Sequence, residues 1–335
     1  WLEAMRAEIE MLRKMNTWTV VSRQTAIQAN KPIIKTTWAF RQKRNPMGDA
    51  TKKKSRWCVR GDIQKRMEDI ESFSPVVQWS SVRLLLILSI VHGLQTRQVD
   101  YVNAFAQADL DKEVYIEPPQ GFKDEFPDDV VLRLNKSLYG MTDAPLIFFE
   151  LLKKNLKKVG FQQIEHLDPC LFVHKKAICL TYVDDCLWFG IDGDALDKLI
   201  QEMKDTGMDL TIESNDVSAF LGIQFTRREE TIELNQTGLI DKIIETVGMK
   251  DANPAAVPAE VKPLGKDKNG AHHSESWNYR SVVGMLLYVA GNSRPDIAFA
   301  VHQTARFSHD PRQSHSVAIK RIVWYLIGTR EKGMI

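Results

Sequence analysis

Residues 181–190, TYVDDCLWFG, join two apolar runs through adjacent aspartates. The runs ICLTYV and CLWF lie too close together for anything but a hairpin. This stretch therefore commits the chain to an antiparallel strand pair with Asp184 and Asp185 near its tip. Two readings of the pair are open. It is a solvated turn, since Asp is a favoured turn residue, or it is half of a metal site.

A second carboxylate bears on that choice. Asp100 sits in QVDYVNAF at the end of another apolar strand, where Asp is disfavoured unless something compensates. If the two strand ends lie side by side, three carboxylates converge. Converging carboxylates repel, and a shared proton or a divalent cation relieves them. Oxygen-only ligands favour Mg²⁺ or Mn²⁺, and two such ions suit in-line phosphoryl transfer. The chemistry is that of a nucleotidyl transferase, which nucleases share.

The charge is distributed to match. Net charge is only +2, yet residues 41–60 (RQKRNPMGDATKKKSRWCVR) hold eight Lys or Arg and one acid, Asp49. A basic segment on a nearly neutral chain suits a phosphate-bearing partner, or is simply a solvated hairpin. Lys35–Phe40 and Arg56–Arg60 read as strands around the turn Asn45-Pro-Met-Gly-Asp. At 44% hydrophobic and 26% charged, the chain can bury a core for two or three subdomains. Cys58, Cys170, Cys179 and Cys186 show no CxxC spacing, as expected of reduced, intracellular thiols. No apolar run reaches the ~20 residues of a membrane span, so no membrane partner is expected. The start WLEAM, without an initiator methionine, reads as a piece of something longer.

Elsewhere the pattern alternates helices and hairpins. Helices are expected over residues 1–15, from a Ser80 cap through SSVRLLLILSIVHGL, from Pro145 through PLIFFELLKKNLKKVG, and in three stretches of the last sixty residues. GluValTyrIle at 113–116 and AFLGIQFTR at 219–227 read as strands. Residues 251–276, rich in Pro, Gly, Lys and Asp, read as a linker. His272, His273 and His315 are expected to be solvated or capping. The fold class is α+β with a mostly helical C-terminal part.

These segments carry a resemblance. WAFRQKRNPMGDATKKKSRWCVRGDIQ, SFSPVVQWSSVRLLL, QVDYVNAF, EVYIEPPQGF, LYG..DAP, DPCLFV, YVDD, FLGIQF, YRSVVGMLLY, SRPDIAFAV and HSVAIKRIVWYLIGT occur in order over nearly the whole chain. They resemble the reverse transcriptase domain of copia-type (Ty1/copia) LTR retrotransposon polyproteins. The resemblance implies a right-hand polymerase of fingers, palm and thumb that extends a DNA primer on an RNA or DNA template. It implies an N-terminal helix (1–15), fingers, palm and the start of a thumb (16–250), the linker (251–276) and a helical thumb or connection-like segment (277–335). Asp100, Asp184 and Asp185 match the palm carboxylates that hold two Mg²⁺ or Mn²⁺ ions. Phe105 matches an aromatic steric gate against the ribose 2′-hydroxyl. Lys54 and Arg56 resemble the fingers cations that grip a deoxynucleoside triphosphate; an Arg fork suits phosphate oxygens. Lys52 and Lys53 are expected to be solvated or to steer template rather than to touch the nucleotide, and Lys153, Lys154, Lys157 and Lys158 to form a solvated face.

The chain departs from the family at LYGMTDAPLIF (138–148), where LYGLKQAPRAW is usual. Thr142, Asp143 and Leu146 stand for Lys, Gln and Arg. The Gln is expected to meet the incoming nucleotide. An Asp there opposes a triphosphate with ~4 kcal/mol at 4 Å and an effective dielectric near 20, so Asp143→Gln is expected to raise activity. Phe105-Ala-Gln-Ala also replaces a glycine-containing turn. The alternative is a catalytically degenerate copy that only binds nucleic acid. RNase H and integrase, the other parts of such a polyprotein, are expected outside this chain, and the family works in a cytoplasmic particle.

Overall fold

The computed structural model describes residues 1–44, 50–67 and 72–335, so the expected turn at 45–49 lies outside the described residues. The chain is 38% helical and 24% strand. It gathers into two compact units, Trp1–Asp216 and Val217–Ile335.

In the first unit, strand Ala177–Tyr182 pairs antiparallel with Asp185–Gly190, with Tyr182 opposite Asp185. Val183 and Asp184 form the two-residue connection between them. Val183 takes φ 53°, left-handed backbone that a β-branched residue adopts only under strain. Strand Asp185–Gly190 pairs on its other side with Gln95–Tyr101, placing Asp185 opposite Asp100. Leu210–Ser214 borders the Gln95 strand, and Leu171–His174 and Gln162–Gln163 extend the sheet to six strands.

Packing sets that register. Val99, Tyr101, Cys186 and Trp188 are buried on one face of the sheet. There the Tyr101 ring meets Phe148 of helix Ala144–Lys158 at 5.6 Å, and Trp188 meets Phe161 at 5.1 Å. Arg97, on the same face, pairs with Asp197 of helix Gly193–Asp205 at 2.8 Å. A slip of one residue would exchange the faces, driving Asp100 into the helices and Val99 out. Each large apolar side chain buried this way contributes roughly 1.5–3 kcal/mol, so the alternation leaves the aspartates one face to occupy.

The basic segment is a hairpin of Thr36–Arg44 and Ala50–Val59. Helix Leu2–Lys14 sets Ile9 and Leu12 into a core with Trp57, Val59, Leu132 and Leu134. A four-stranded sheet of Trp18–Ser22, Val130–Leu134, Tyr115–Ile116 and Ile33–Ile34 adjoins it, so the strand expected over 113–116 is only two residues long. At its base the hairpin meets the turn Leu138–Met141. The Val59 N–H donates to the Tyr139 carbonyl at 2.8 Å. A Cβ at Gly140 (φ +86°) would stand 2.2 Å from the Val59 oxygen, and one at Gly61 2.1 Å from the Gly140 oxygen. Only glycine fits this backbone contact.

Helix Trp79–Val91 begins earlier than expected, with Gln78 rather than Ser80 in the cap position. Buried Asp168 does the capping from a distance: it accepts from the Gln78 N–H (2.9 Å) and the Ser81 hydroxyl (2.6 Å).

In the second unit the single strand expected over 219–227 is broken. Leu221 and Gly222 take φ 51° and 76°, separating Ala219–Phe220 from Ile223–Arg227, which pairs with Ile232–Asn235. Helices Thr237–Val247, Tyr279–Asn292, Ala298–Ala305 and Gln313–Gly328 bury Ile240, Val282, Val301 and Ile322 in one core. Residues 251–276 carry no helix or strand, yet they are tied to the last helix. Buried His315 caps that helix by accepting the Arg312 N–H at 2.9 Å, and its Nε2 lies 2.8 Å from the Gly265 carbonyl. His272 is exposed and faces Asp310; His273 is held between Ser316 and the Trp277 carbonyl instead of being solvated. Among the described residues, no helix is long and apolar enough to cross a membrane.

Candidate functional site

The rung formed by Asp100 and Asp185 opens on a cavity of about 340 Å³. Asp184, from the hairpin tip, and Glu213, from strand Leu210–Ser214, also line it. The opposite wall is the basic hairpin. Arg41 pairs in register with Lys54, and Ala39 with Arg56, so the three cations share one face of the hairpin and line the cavity. Tyr139 joins them, with the Arg56 guanidinium 4.5 Å over its ring. The glycine contact below the hairpin fixes that stacking, because it sets where Tyr139 stands relative to Arg56.

The electrostatics follow from this placement. Burial, then the charges of Asp184, Asp100 and Glu213, push the Asp185 carboxyl up to about 6. The three charges that raise it are all anions. Burial also pushes the Tyr139 phenol up to about 12, with Arg56 opposing and Asp184 and Asp100 adding. Glu8 lies behind the hairpin; its burial raises its pKa against the Trp57 backbone and the charges of Lys54 and Arg56.

The donor set can be tested against a divalent ion. It is all oxygen, of one sign, and gathered at one wall, and burial, followed by the charges of Asp184, Asp100 and Glu213, raises the Asp185 pKa, a cost that a dication would relieve. Among the described residues, no three His, Cys, Asp or Glu are arranged as a ready-made metal cage. The chemistry of the donors fits a hard divalent cation such as Mg²⁺ or Mn²⁺.

The structure thus brings Asp100, Asp184, Asp185, Lys54 and Arg56 around one cavity. It does not bring Phe105 or Asp143 to the wall. Phe105 packs edge-on behind Tyr139, with ring centroids 4.8 Å apart, and against Phe148 at 6.2 Å. Asp143 is buried at the start of helix Ala144–Lys158 and forms an ion pair with Lys112. Lys112 thus pairs with the carboxylate that the sequence sets against a triphosphate. Thr142 has a local role, its hydroxyl donating to the Gly61 carbonyl at 3.0 Å. Lys153 leans on Glu150, while Lys154, Lys157 and Lys158 are exposed.

Sequence reasoning missed Arg41, Asn103, Tyr139 and Glu213 as wall residues. Tyr139 had a signal, standing beside the glycine of the LYG segment. Asn103 had a weaker one: it takes φ 48°, a conformation Asn tolerates. Glu213, one acid in LTIES, had none.

A family model described as reverse transcriptase (RNA-dependent DNA polymerase) matches residues 15–261. Retrovirus-related Pol polyproteins from transposons RE2 and RE1 of Arabidopsis thaliana are each 32% identical over 100% of the chain. One from transposon TNT 1-94 of Nicotiana tabacum is 32% identical over 98% of it. The chain spans about a quarter of these relatives (23%, 23% and 25%). A solved foamy viral protease–reverse transcriptase in complex with double-stranded DNA matches 96% of this chain and 47% of its own, with TM-score 0.52 and 13% identity. That is a likeness of fold, in agreement with the expected α+β architecture.

Proposed function

Since the chain belongs to the reverse transcriptase (RNA-dependent DNA polymerase) family, of the copia type, we propose that the carboxylate cavity is a polymerase site that extends a DNA primer on an RNA or DNA template. The observation that carries this reading is the rung of Asp100 and Asp185 facing Lys54 and Arg56 across one cavity. Two Mg²⁺ or Mn²⁺ ions, when bound, would supply the Lewis acidity for in-line transfer. Asp100 and Asp184 would hold both, with Asp185 as the third ligand. Arg56 and Lys54 would bind the triphosphate of the incoming deoxynucleotide, the Arg56 plane being oriented by Tyr139. Asp185, with its pKa raised to about 6, would bind a proton as pH falls through that value and give it up when a cation arrives.

The second reading, a copy that binds nucleic acid without catalysis, draws on Asp143 and Leu146. The pairing of Asp143 with Lys112 weakens the first of these two grounds.

Primer extension on a primed homopolymer RNA, with Mg²⁺ or Mn²⁺ and an Asp185→Asn control, separates them. Extension lost in the control supports the polymerase. Extension that survives in the control points to a contaminating enzyme, and salt-sensitive duplex binding without extension supports the second reading.

A further inference from the structure

Behind the basic hairpin stands a buried carboxylate. Helix Leu2–Lys14 lays Ile9 and Leu12 into the core with Trp57 and Val59, and the adjacent Glu8 is buried as well, only 8% exposed. A carboxylate so enclosed is costly unless something compensates it. Part of the compensation is local. Strand Ala50–Val59 pairs on one side only, with Thr36–Arg44. From its free edge the Val59 N–H reaches the Tyr139 carbonyl, and the Trp57 N–H, two residues back, points the same way. Glu8 accepts that Trp57 N–H. A neutral amide or a hydroxyl would cover the strand edge as well, so the edge does not account for a buried charge.

The rest comes from the cations of the cavity. Lys54, and after it Arg56, act on Glu8 as opposite charges, and both line the cavity with Arg41. The other titratable groups within its reach are Cys58 on the same strand and Tyr139, whose ring carries the Arg56 guanidinium. Two atoms here each lack what the other offers. Oε1 of Glu8 is a buried acceptor without a hydrogen-bond partner, and Nε of Arg56 is a buried donor without one. Arg41, Lys54 and Arg56 crowd one wall, while Asp100, Asp184 and Asp185 line the other. These charges alone would spread the cations from one another and draw them onto the acids. A fixed anion behind the strand opposes that and keeps the cationic wall apart from the acidic one.

We propose that Glu8 is a positioning residue: from the N-terminal helix it holds Lys54 and Arg56 on the hairpin wall, in place for the phosphates of a nucleoside triphosphate. The inference rests on the polymerase reading for the identity of that ligand.

The test reads binding without extension: calorimetric titration of dTTP, with Mg²⁺ present, into the whole chain as wild type and as Glu8→Gln. Glutamine keeps the shape and an acceptor for the Trp57 N–H, and removes only the charge. Glu8→Gln is expected to weaken dTTP binding about tenfold, the size of one charge-assisted contact, while circular dichroism shows both proteins folded. The ratio of the two affinities should shrink toward one as pH falls from about 8 to 5, because a protonated Glu8 carries no charge either. A Glu8 that only covers the strand edge would give no such trend. Equal or tighter binding by folded Glu8→Gln, or a ratio that ignores pH, overturns the proposal, and so does a wild type that binds no dTTP. A wild type that binds dTTP but fails primer extension loses the polymerase reading and keeps the role of Glu8. One that extends primers while Glu8→Gln binds dTTP equally well loses the role of Glu8 and keeps the polymerase reading.

Discussion

Two places, one in each compact unit, treat buried charge in opposite ways. In the first, Asp185 is half-buried and surrounded by Asp184, Asp100 and Glu213, and its pKa rises to about 6. In the second, Arg294 is 1% exposed, yet it donates to Asp296 and to the Thr329 carbonyl and hydroxyl, while the Tyr325 hydroxyl donates to Asp296. Burial raises the Asp296 pKa, but the hydrogen bonds from Arg294 and Tyr325 outweigh it and leave it lowered. The difference separates the candidate site from a structural clasp. A fold keeps charge compensated where it needs only stability. It tolerates like charge where a later-arriving ligand can supply the missing sign.

The largest expected effect is an exchange of phenotypes between these aspartates. Asp185→Asn should lower primer extension by about 10³-fold, the loss of several kcal/mol of charge stabilisation at the reacting phosphate. Its Tm should hold or rise, since a repelled carboxylate is gone. Asp296→Asn should do the reverse, costing about 1.5–3 kcal/mol of stability through weakened bonds to a buried guanidinium. Activity and thermal melts on both variants check this; a fall in Tm for Asp185→Asn would erase the contrast.

Reversing Asp143 comes next. The sequence alone predicts a gain from Asp143→Gln, but the ion pair with buried Asp143 predicts a loss. The variant should lose about 1–3 kcal/mol and show no rise in extension rate. A more active, equally stable variant would return Asp143 to the nucleotide pocket.

The pH dependence should have opposite signs in the two places. A carboxyl with a raised folded-state pKa binds its proton more tightly in the folded protein. Asp185 thus contributes stability that is fully present below pH 3.8 and lost as pH rises through about 6. Asp296, with a lowered pKa, contributes stability above 3.8 that disappears as pH falls through its folded value. The Tm advantage of Asp185→Asn over wild type should therefore grow between pH 4 and 7 and shrink when Mg²⁺ is added at pH 7. A flat difference would mean that Asp185 titrates normally.

The smallest expected effect is at the hairpin tip. Val183→Gly removes a β-branched residue from left-handed backbone and should stabilise by about 1 kcal/mol. Extension should weaken as the Asp184–Asp185 tip loosens. Chemical denaturation and single-turnover extension measure the two halves.

Much of this was legible in the chain. TYVDDCLWFG could only be a hairpin, and QVDYV a strand, because apolar runs of that length bounded by polar residues have few other uses. The basic residues had to flank a turn. These are local properties, and local sequence carries them. Helices Gly193–Asp205 and Thr237–Val247 went unread although LDKLIQEM has helical spacing, and the break at Leu221-Gly222 was hidden inside a strand-like run.

What the sequence determined by itself was the kind of chemistry available: which carboxylates, which cations, and in what family order. The tertiary structure decided which of them meet. The pairing of Asp100 with Asp185 spans 85 positions, Glu213 reaches the wall on a third strand, and Lys112 withdraws Asp143 from the pocket that its motif suggested. Such meetings depend on strand register and on which face is buried, and those are fixed by packing between distant segments rather than by any residue's neighbours in the chain.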